Sequence, residues 1–378
     1  MAKKLRVGLI FGGRSGEHEV SIRSAGAVIQ AMNHDRYEIL PIAITKEGKW
    51  LSPPEAASLL PAGAREMLPN TLVAKQTSDV AIFGDPSHQG LVSIDANGLP
   101  QSSEPLDVVF PLLHGPYGED GTIQGLLEMA NVPYVGCGVL ASACGMDKVV
   151  MKSLFKNAGL PICKYIWFLR SDWRGNPDNV IRRLKREIGF PCFVKPANLG
   201  SSVGVSKAVD KESLARAVDL AARYDRKIIV EEGLQAREIE CAIMGNDEPR
   251  ASLPGEYVIH DESARFLDYA EKYTSTGHVE FVVPAPLSKS LTEKIQRLAI
   301  SAFKAIDGAG LARVDFFLTS DTKELLVNEL NTMPGLTEVS GYPKMWAASG
   351  LKFPQVLERL IEHAFERHRD KLLNETSI

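Results

Sequence analysis

In the run GLARVDFFL, the alternation of a β-strand puts Arg313 and Asp315 on one face and Val314 and Phe316 on the other. In LLVNELNTMPG, Glu329 and Asn331 share a face with Val327. The SDTK between the two runs reads as a turn, which predicts an antiparallel hairpin. Counting back from the centre of that turn sets Asp315 opposite residue 328, within one position of Glu329. A one-residue asymmetry would bring Asp315, Glu329 and Asn331 together on one face. Two carboxylates and an amide oxygen suit Mg²⁺, a hard cation that divides its ligand positions between protein carboxylates and phosphate oxygens. The plainer reading is a cross-strand Arg–Asp pair on a solvated sheet. Four polar groups at strict alternation in apolar strands fit the cation better.

The segment FVKPANLGSSVGVSKA carries a second possible chemistry. A strand delivers Lys195, and Gly200 and Gly204 flank Ser201 and Ser202 in the loop that follows. Glycines let backbone N–H groups approach phosphate oxygens, and a lysine supplies a point charge for them. The lysine precedes the glycines, so this is neither a Walker A loop nor the G-x-G-x-x-G dinucleotide fingerprint. Taken alone, the segment reads equally well as an exposed turn beside an ordinary lysine. A third group, Glu17, His114 and Glu119, falls just after two strand-like runs. In open α/β sheets that is where ligands bind. A helix-start glutamate and a turn histidine are the bland alternatives.

These groups need strands and helices to hold them. Residues Lys4–Phe11 read as a strand buried on both faces, followed by a helix from Glu17 to Met32 and a strand over Ile39–Ile44. Residues 52–104 are rich in Pro, Ser, Gly and Asn and show little periodicity, so they are expected to form an irregular insertion. A strand at Leu106–Leu112 and a helix at Thr122–Ala130 follow. A helix over Asp147–Ala158 stops at Gly159–Pro161. Strands and amphipathic helices then alternate to a closing helix, Phe353–His368. The expected class is α/β, in three lobes at about 1–138, 139–232 and 233–378.

The totals narrow the partners. At roughly 100–200 residues per domain, 378 residues predict two or three domains. A net charge of −4 offers no basic field for nucleic acid or an anionic membrane. No run approaches the ~20 apolar residues of a membrane span. The N-terminal run Val7–Phe11 is too short for a signal peptide, so a cytoplasmic location is expected. Five scattered cysteines without a Cys-x-x-Cys pair predict buried reduced thiols.

Together these residues resemble the D-alanine–D-alanine ligases of the ATP-grasp superfamily. The likeness runs from about Val7 to about Gly350. It includes FGGRSGEHEVS, PLLHGPYGEDGTIQG, GMDK, FVKPANLGSSVGVSK, VEEGLQAREIECA, the EKY triplet at 271–273, ARVDFF and NELNTMPGLTEVSGYPKMW. The resemblance implies a three-lobed ATP-grasp fold with a Rossmann-like N-terminal domain. It implies that two D-alanines are joined by way of a D-alanyl phosphate, with ATP and Mg²⁺ (Mn²⁺ in its place, two ions per site), for peptidoglycan precursors. A homodimer is implied too.

Residue by residue, Lys148 of GMDK and Lys195 match the lysines that hold the ATP phosphates, and Ser202 lies in the phosphate loop. The segment from Glu231 and Glu232 to Leu234 matches the adenine hinge, with Glu238 at the ribose. Asp315, Glu329 and Asn331 match the magnesium ligands. Glu17 matches the partner of the first D-alanine's ammonium, and His114 a histidine of the same site. Arg313 and the Gly335 N–H match the groups facing the oxyanion. Ser201, Lys272, Tyr273 and Ser340 match residues that close over the second substrate. Gly341 stands where relatives carry a larger side chain, which predicts looser packing of the second site. Another carboxylate–amine ligase of the superfamily, or a nucleotide-binding regulator without catalysis, is the competing reading. The amino-acid-site motifs oppose the first, and intact Arg313, Asp315, Glu329 and Asn331 oppose the second.

Overall fold

Strands β1 (Leu5–Gly12) and β2 (Tyr37–Ile44) pair in parallel along their whole length in the computed structural model. The structure describes residues 3–69, 79–88, 90–95, 97–200, 203–259 and 279–375. Val7, Leu9, Ile10 and Phe11 of β1 are fully buried, as a strand covered on both faces requires. Gly12 turns the chain out of β1 at a φ of +90°, and a Cβ there would lie 2.3 Å from the Ile44 carbonyl oxygen. Only glycine fits, and helix α1 (His18–Ala31) starts directly after this turn. The short β3 (Trp50–Leu51) edges the sheet beside β2.

Residues 52–104 correct the expectation of an irregular insertion. They contain helices α2 (Pro53–Leu59) and α3 (Ala62–Arg65) and strands β4 (Asp79–Ile82), β5 (Leu91–Ile94) and β6 (Pro100–Glu104). The three strands form an antiparallel sheet. The Glu55 carboxylate accepts from the Ser52 N–H at 3.0 Å, half of a capping box, with Pro53 beside it in the first turn. Val80, Ile82 and Leu91 share one core with Ile10, Leu40 and Ile42, so this small sheet covers a face of the first one. Strand β7 (Val108–Pro111) then completes the order β3-β2-β1-β7. Helix α4 (Thr122–Met129) follows it.

Two further helices, α5 (Val139–Met146) and α6 (Lys148–Asn157), lead to a second sheet. Its strands are β8 (Tyr165–Leu169), β9 (Cys192–Pro196), β10 (Ser206–Ala208) and β11 (Lys227–Glu232), antiparallel in the order β10-β9-β11-β8. Helices α7 (Arg170–Gly175), α8 (Pro177–Glu187) and α9 (Lys211–Tyr224) punctuate it, and Leu184, Leu214 and Val218 fill its core.

The third sheet gathers β12 (Ala236–Gly245), β13 (Arg250–Ala251), β14 (Gly255–Ile259), β15 (Val279–Val282), β16 (Gly310–Thr319) and β17 (Leu325–Asn331). Its main path is β15-β14-β12-β16-β17, with β13 on β12. Ile295, Ala299 and Phe303 of α10 (Lys289–Ala305) pack on Ile239, Val314 and Val327. Helices α11 (Gly341–Ala348) and α12 (Phe353–Lys371) close the chain. Val356, Leu360 and Ile361 of α12 share a core with Leu9, Phe11 and Val28, which ties the end of the chain to the first sheet. Cys137, Cys163, Cys192 and Cys241 are buried free thiols and Cys144 is half-buried, as expected.

Candidate active site

The hairpin places its polar groups through a bulge. Asp315 faces Glu329 and Arg313 faces Asn331, but the next pair along is Phe316 with Val327. Asn328 is therefore the extra residue, and it supplies the one-residue asymmetry that the turn count required. The Arg313 guanidinium forks Asp315, with Nε donating to Oδ1 at 2.7 Å and Nη2 to Oδ2 at 2.6 Å. Asn331 Nδ2 donates to the same Oδ2 at 3.1 Å. On the other side of β16, Glu240 of β12 stands opposite Asp315, and its Oε1 lies 3.2 Å from Arg313 Nε.

Two carboxylates with one amide is a sparse set. Among the described residues no three His, Cys, Asp or Glu side chains gather to hold an ion by themselves. Asp315, Glu329 and Asn331 fit a hard cation that takes its remaining ligands from phosphate and water.

The lysines surround this hairpin. Asp147 caps α6 by accepting from the Val149 and Val150 N–H groups, which fixes Lys148 at the helix start. Lys148 Nζ donates to the Leu199 carbonyl oxygen at 3.0 Å and lies 3.4 Å from Glu329 Oε2. Lys195 on β9 lies 2.6 Å from Glu231 Oε2, and Lys152 lies 2.9 Å from Glu231 Oε1. Burial pushes the Glu231 carboxyl up, but Lys152 and Lys195 outweigh it and hold the group at about 2. Glu329 behaves alike: burial raises it, and Lys148, Lys195 and Arg313 bring it to about 2. Lys148 and Lys195 thus stand beside the hairpin, where their point charges suit a polyphosphate.

The hinge from β11 to β12 begins beside these groups. Glu231 is buried, so its side chain serves the lysines. The Glu232 carboxylate accepts from the Lys164 N–H at 2.7 Å, and the Gly233 N–H donates to the Pro191 carbonyl oxygen at 2.8 Å. Leu234 lies in the link between the two strands, and Glu238 shares a face of β12 with Glu240.

The first-lobe groups reach the same space. A Cβ built on Gly115 would lie 3.0 Å from Glu17 Oε2, and one built on Gly200 would lie 3.1 Å from that oxygen. The Glu17 carboxylate is therefore set between the histidine turn and the glycine loop that follows Lys195. His114 Nδ1 bonds the Met333 carbonyl oxygen at 3.1 Å, and Glu119 accepts from the Met333 N–H at 3.1 Å and the Gly115 N–H at 2.7 Å. Burial, aided by Glu17, raises the Glu119 carboxyl to about 8, and burial lowers the His114 imidazole. Two residues past Met333, Gly335 faces Ser340, where an added Cβ would lie 2.9 Å from Oγ. That hydroxyl sits 2.7 Å from Thr337 Oγ1 at the start of α11. Ser201, Ser202, Lys272 and Tyr273 lie outside the described residues.

Gly341 departs from the expectation of looser packing. A Cβ there would meet Glu240 Oε2 at 2.7 Å and Phe281 Cζ at 2.9 Å, so the space is already filled. Gly341→Met should destabilise the fold by about 1–3 kcal/mol through overpacking. Urea unfolding measures this, and an undiminished midpoint would mean that Phe281 and Glu240 move aside freely. Lys152 and Glu240 are absent from the sequence expectations. Lys152 stands one helical turn after Lys148, and Glu240 alternates with Glu238, so both lay on faces that the chemistry already used.

Two family models match the chain: "D-ala D-ala ligase N-terminus" over residues 6–137 and "D-ala D-ala ligase C-terminus" over residues 154–362. A D-alanine–D-alanine ligase of Bacillus velezensis is 48% identical over 368 residues, covering 96% of this chain and 99% of that protein. One from Bacillus cytotoxicus is 46% identical over 372 residues, covering 97% and 98%. Among solved structures, the D-alanine–D-alanine ligase of Coxiella burnetii has a TM-score of 0.80 at 37% identity, covering 98% of this chain and 97% of its own. The VanG D-Ala:D-Ser ligase of Enterococcus faecalis has a TM-score of 0.81 at 35% identity, covering 96% and 100%. With its hairpin, lysines and first-lobe turn gathered on one space, the chain belongs to the D-alanine–D-alanine ligase family and has its ATP-grasp fold.

Proposed function

We propose that this chain joins two D-alanines into D-alanyl-D-alanine, a peptidoglycan precursor, at the expense of ATP. The convergence around Leu199 and Gly200 carries the reading: Lys148 holds the Leu199 carbonyl and approaches Glu329, while the Glu17 carboxylate reaches Gly200. A phosphate-binding face and an amino-acid-binding carboxylate therefore meet on one loop.

A carboxylate does not accept an amine directly, so the first D-alanine must be activated. Glu17 takes its ammonium, and His114 lines the same subsite. Lys148 and Lys195, with Ser202, hold the ATP phosphates, the backbone of Glu231, Glu232 and Leu234 meets the adenine, and Glu238 meets the ribose. Asp315, Glu329 and Asn331 would hold divalent cations, Mg²⁺ or Mn²⁺ and two per site, which neutralise phosphate charge during phosphoryl transfer. The first substrate's carboxylate attacks the γ-phosphoryl group, whose bond to the β,γ-bridging oxygen breaks to release ADP; the second D-alanine's unprotonated amine then attacks the acyl phosphate, losing a proton as phosphate leaves and the peptide bond remains. Arg313 and the Gly335 N–H face the oxyanion that develops, as preorganised donors do. Ser201, Lys272, Tyr273 and Ser340 close over the second D-alanine and keep water out.

We infer three lobes, 1–138, 139–232 and 233–378, and a cytoplasmic homodimer. No helix among the described residues is long and apolar enough to cross a membrane. The test is phosphate release with D-alanine, L-alanine, D-serine and D-lactate in turn, with and without Mg²⁺. ADP and phosphate should appear only with D-alanine and the cation together at neutral pH. Strong turnover with L-alanine, or AMP as a product, would overturn the assignment.

A further inference from the structure

Lys152 has no part in the roles given so far, yet it is only 1% exposed. An ammonium taken out of water is unfavourable unless its partners compensate, so its burial needs a reason. It stands on α6 one turn after Lys148, where Nζ lies 2.9 Å from Glu231 Oε1 and donates to the Asn328 carbonyl oxygen at 2.9 Å. Cys163 Sγ is a weaker third contact at 3.5 Å. The first two partners lead straight into the site. The other oxygen of Glu231 takes Lys195 at 2.6 Å. Asn328 is the bulge residue that sets Glu329 opposite Asp315.

We propose that Lys152 is a positioning residue, a fixed counter-charge for Glu231 that frees Lys195 to move to phosphate and pins the bulge behind Glu329. Without it, Lys195 is the one remaining ammonium beside Glu231 among the described residues. Turning Lys195 toward phosphate would then strand a buried carboxylate, so Glu231 would compete with ATP for that lysine. With Lys152 in place, Glu231 keeps a partner in both states. The inference rests on the reading of Lys195 as a phosphate ligand.

The test compares Lys152→Met, Lys152→Met/Glu231→Gln and Lys195→Met in the full chain. It reads ATP affinity by calorimetry with Mg²⁺ and no D-alanine, KM for ATP and for D-alanine, and the thermal midpoint. Lys152→Met should weaken ATP about tenfold, the size of one charge-assisted bond, and change KM for D-alanine less than about threefold. The double variant, with no carboxylate left to hold Lys195, should recover most of that affinity. A merely structural lysine predicts otherwise: ATP and D-alanine binding would fall together with the thermal midpoint, and the double variant would be no better than the single. Either result, or unchanged ATP affinity in Lys152→Met, overturns the proposal. Should Lys152→Met fail to fold, the double variant decides alone, because both positions are then neutral. ATP affinity within about threefold of wild type supports the proposal, and a loss of about tenfold or failure to fold overturns it. If Lys195→Met keeps full ATP affinity, the phosphate reading of Lys195 itself falls, and this inference with it.

Discussion

Glu329→Gln is expected to lower kcat/KM for dipeptide synthesis by about 10²–10³, in line with losing one preorganised electrostatic group. Burial alone would push this carboxyl up, but Lys148, Lys195 and Arg313 hold it at about 2, so it is an anion at neutral pH. The amide keeps the shape and removes the charge. Its oxygen is a weaker ligand for a divalent cation, and the lysines around it face one carboxylate fewer. The fold should tolerate the change. The Glu329 side chain is 25% exposed and its contact with Lys148 is long at 3.4 Å, so water takes over part of the lost pairing and the protein stays folded. Steady-state kinetics across a Mg²⁺ titration, with urea unfolding beside it, separates the two effects. Near-normal turnover at low Mg²⁺ would remove Glu329 from the cation site.

That hairpin was legible because period-two alternation shows in any strand longer than a few residues, and β16 and β17 run for 10 and 7. The bulge was legible only as a mismatch in the turn count. Where patterns are short, the sequence says little. Strands β4 and β5 have four residues each, too few for alternation to stand out from a Pro- and Ser-rich background. The Ser52–Glu55 half of a capping box was the visible sign that this stretch is ordered. Helix α5 reads VLASACGM, with no polar face to give it a period.

Lys152 was hidden for a different reason. In KVVMKSLFKN a lysine every fourth residue looks like the wet side of an amphipathic helix, and lysines are almost never fully buried. Its burial depends on Glu231 and Asn328, which lie 79 and 176 positions away in the chain. Glu240 depends likewise on Arg313, a residue of the neighbouring strand. Gly341 misled for the same reason, because the atoms filling its space belong to Glu240 and Phe281. Residues that act through distant partners leave no local period to read.

Arg313→Met should be the costliest of these changes. The guanidinium is the common partner of Asp315, through a two-bond fork, and of Glu240, which is only 4% exposed. Removing it leaves two carboxylates side by side across β12 and β16 without that cation. Breaking a buried pair by deleting one partner typically costs about 3–5 kcal/mol, and turnover should fall by about 10²–10³ with the loss of the donor proposed to face the oxyanion. Arg313→Lys restores a charge but not the planar fork, so it should regain part of the stability and little of the activity. Metal supplies a readout independent of turnover. In the parent protein the guanidinium donates to each oxygen of Asp315, and a cation there competes with it for the carboxylate's charge. In Arg313→Met that competitor is gone, and a divalent cation can neutralise Asp315 and Glu329 together. Added Mg²⁺ should therefore raise the thermal midpoint of Arg313→Met more than that of the parent, and of Arg313→Met/Asp315→Asn hardly at all. Equal shifts in all three proteins would mean that the hairpin carboxylates are not where the cation binds.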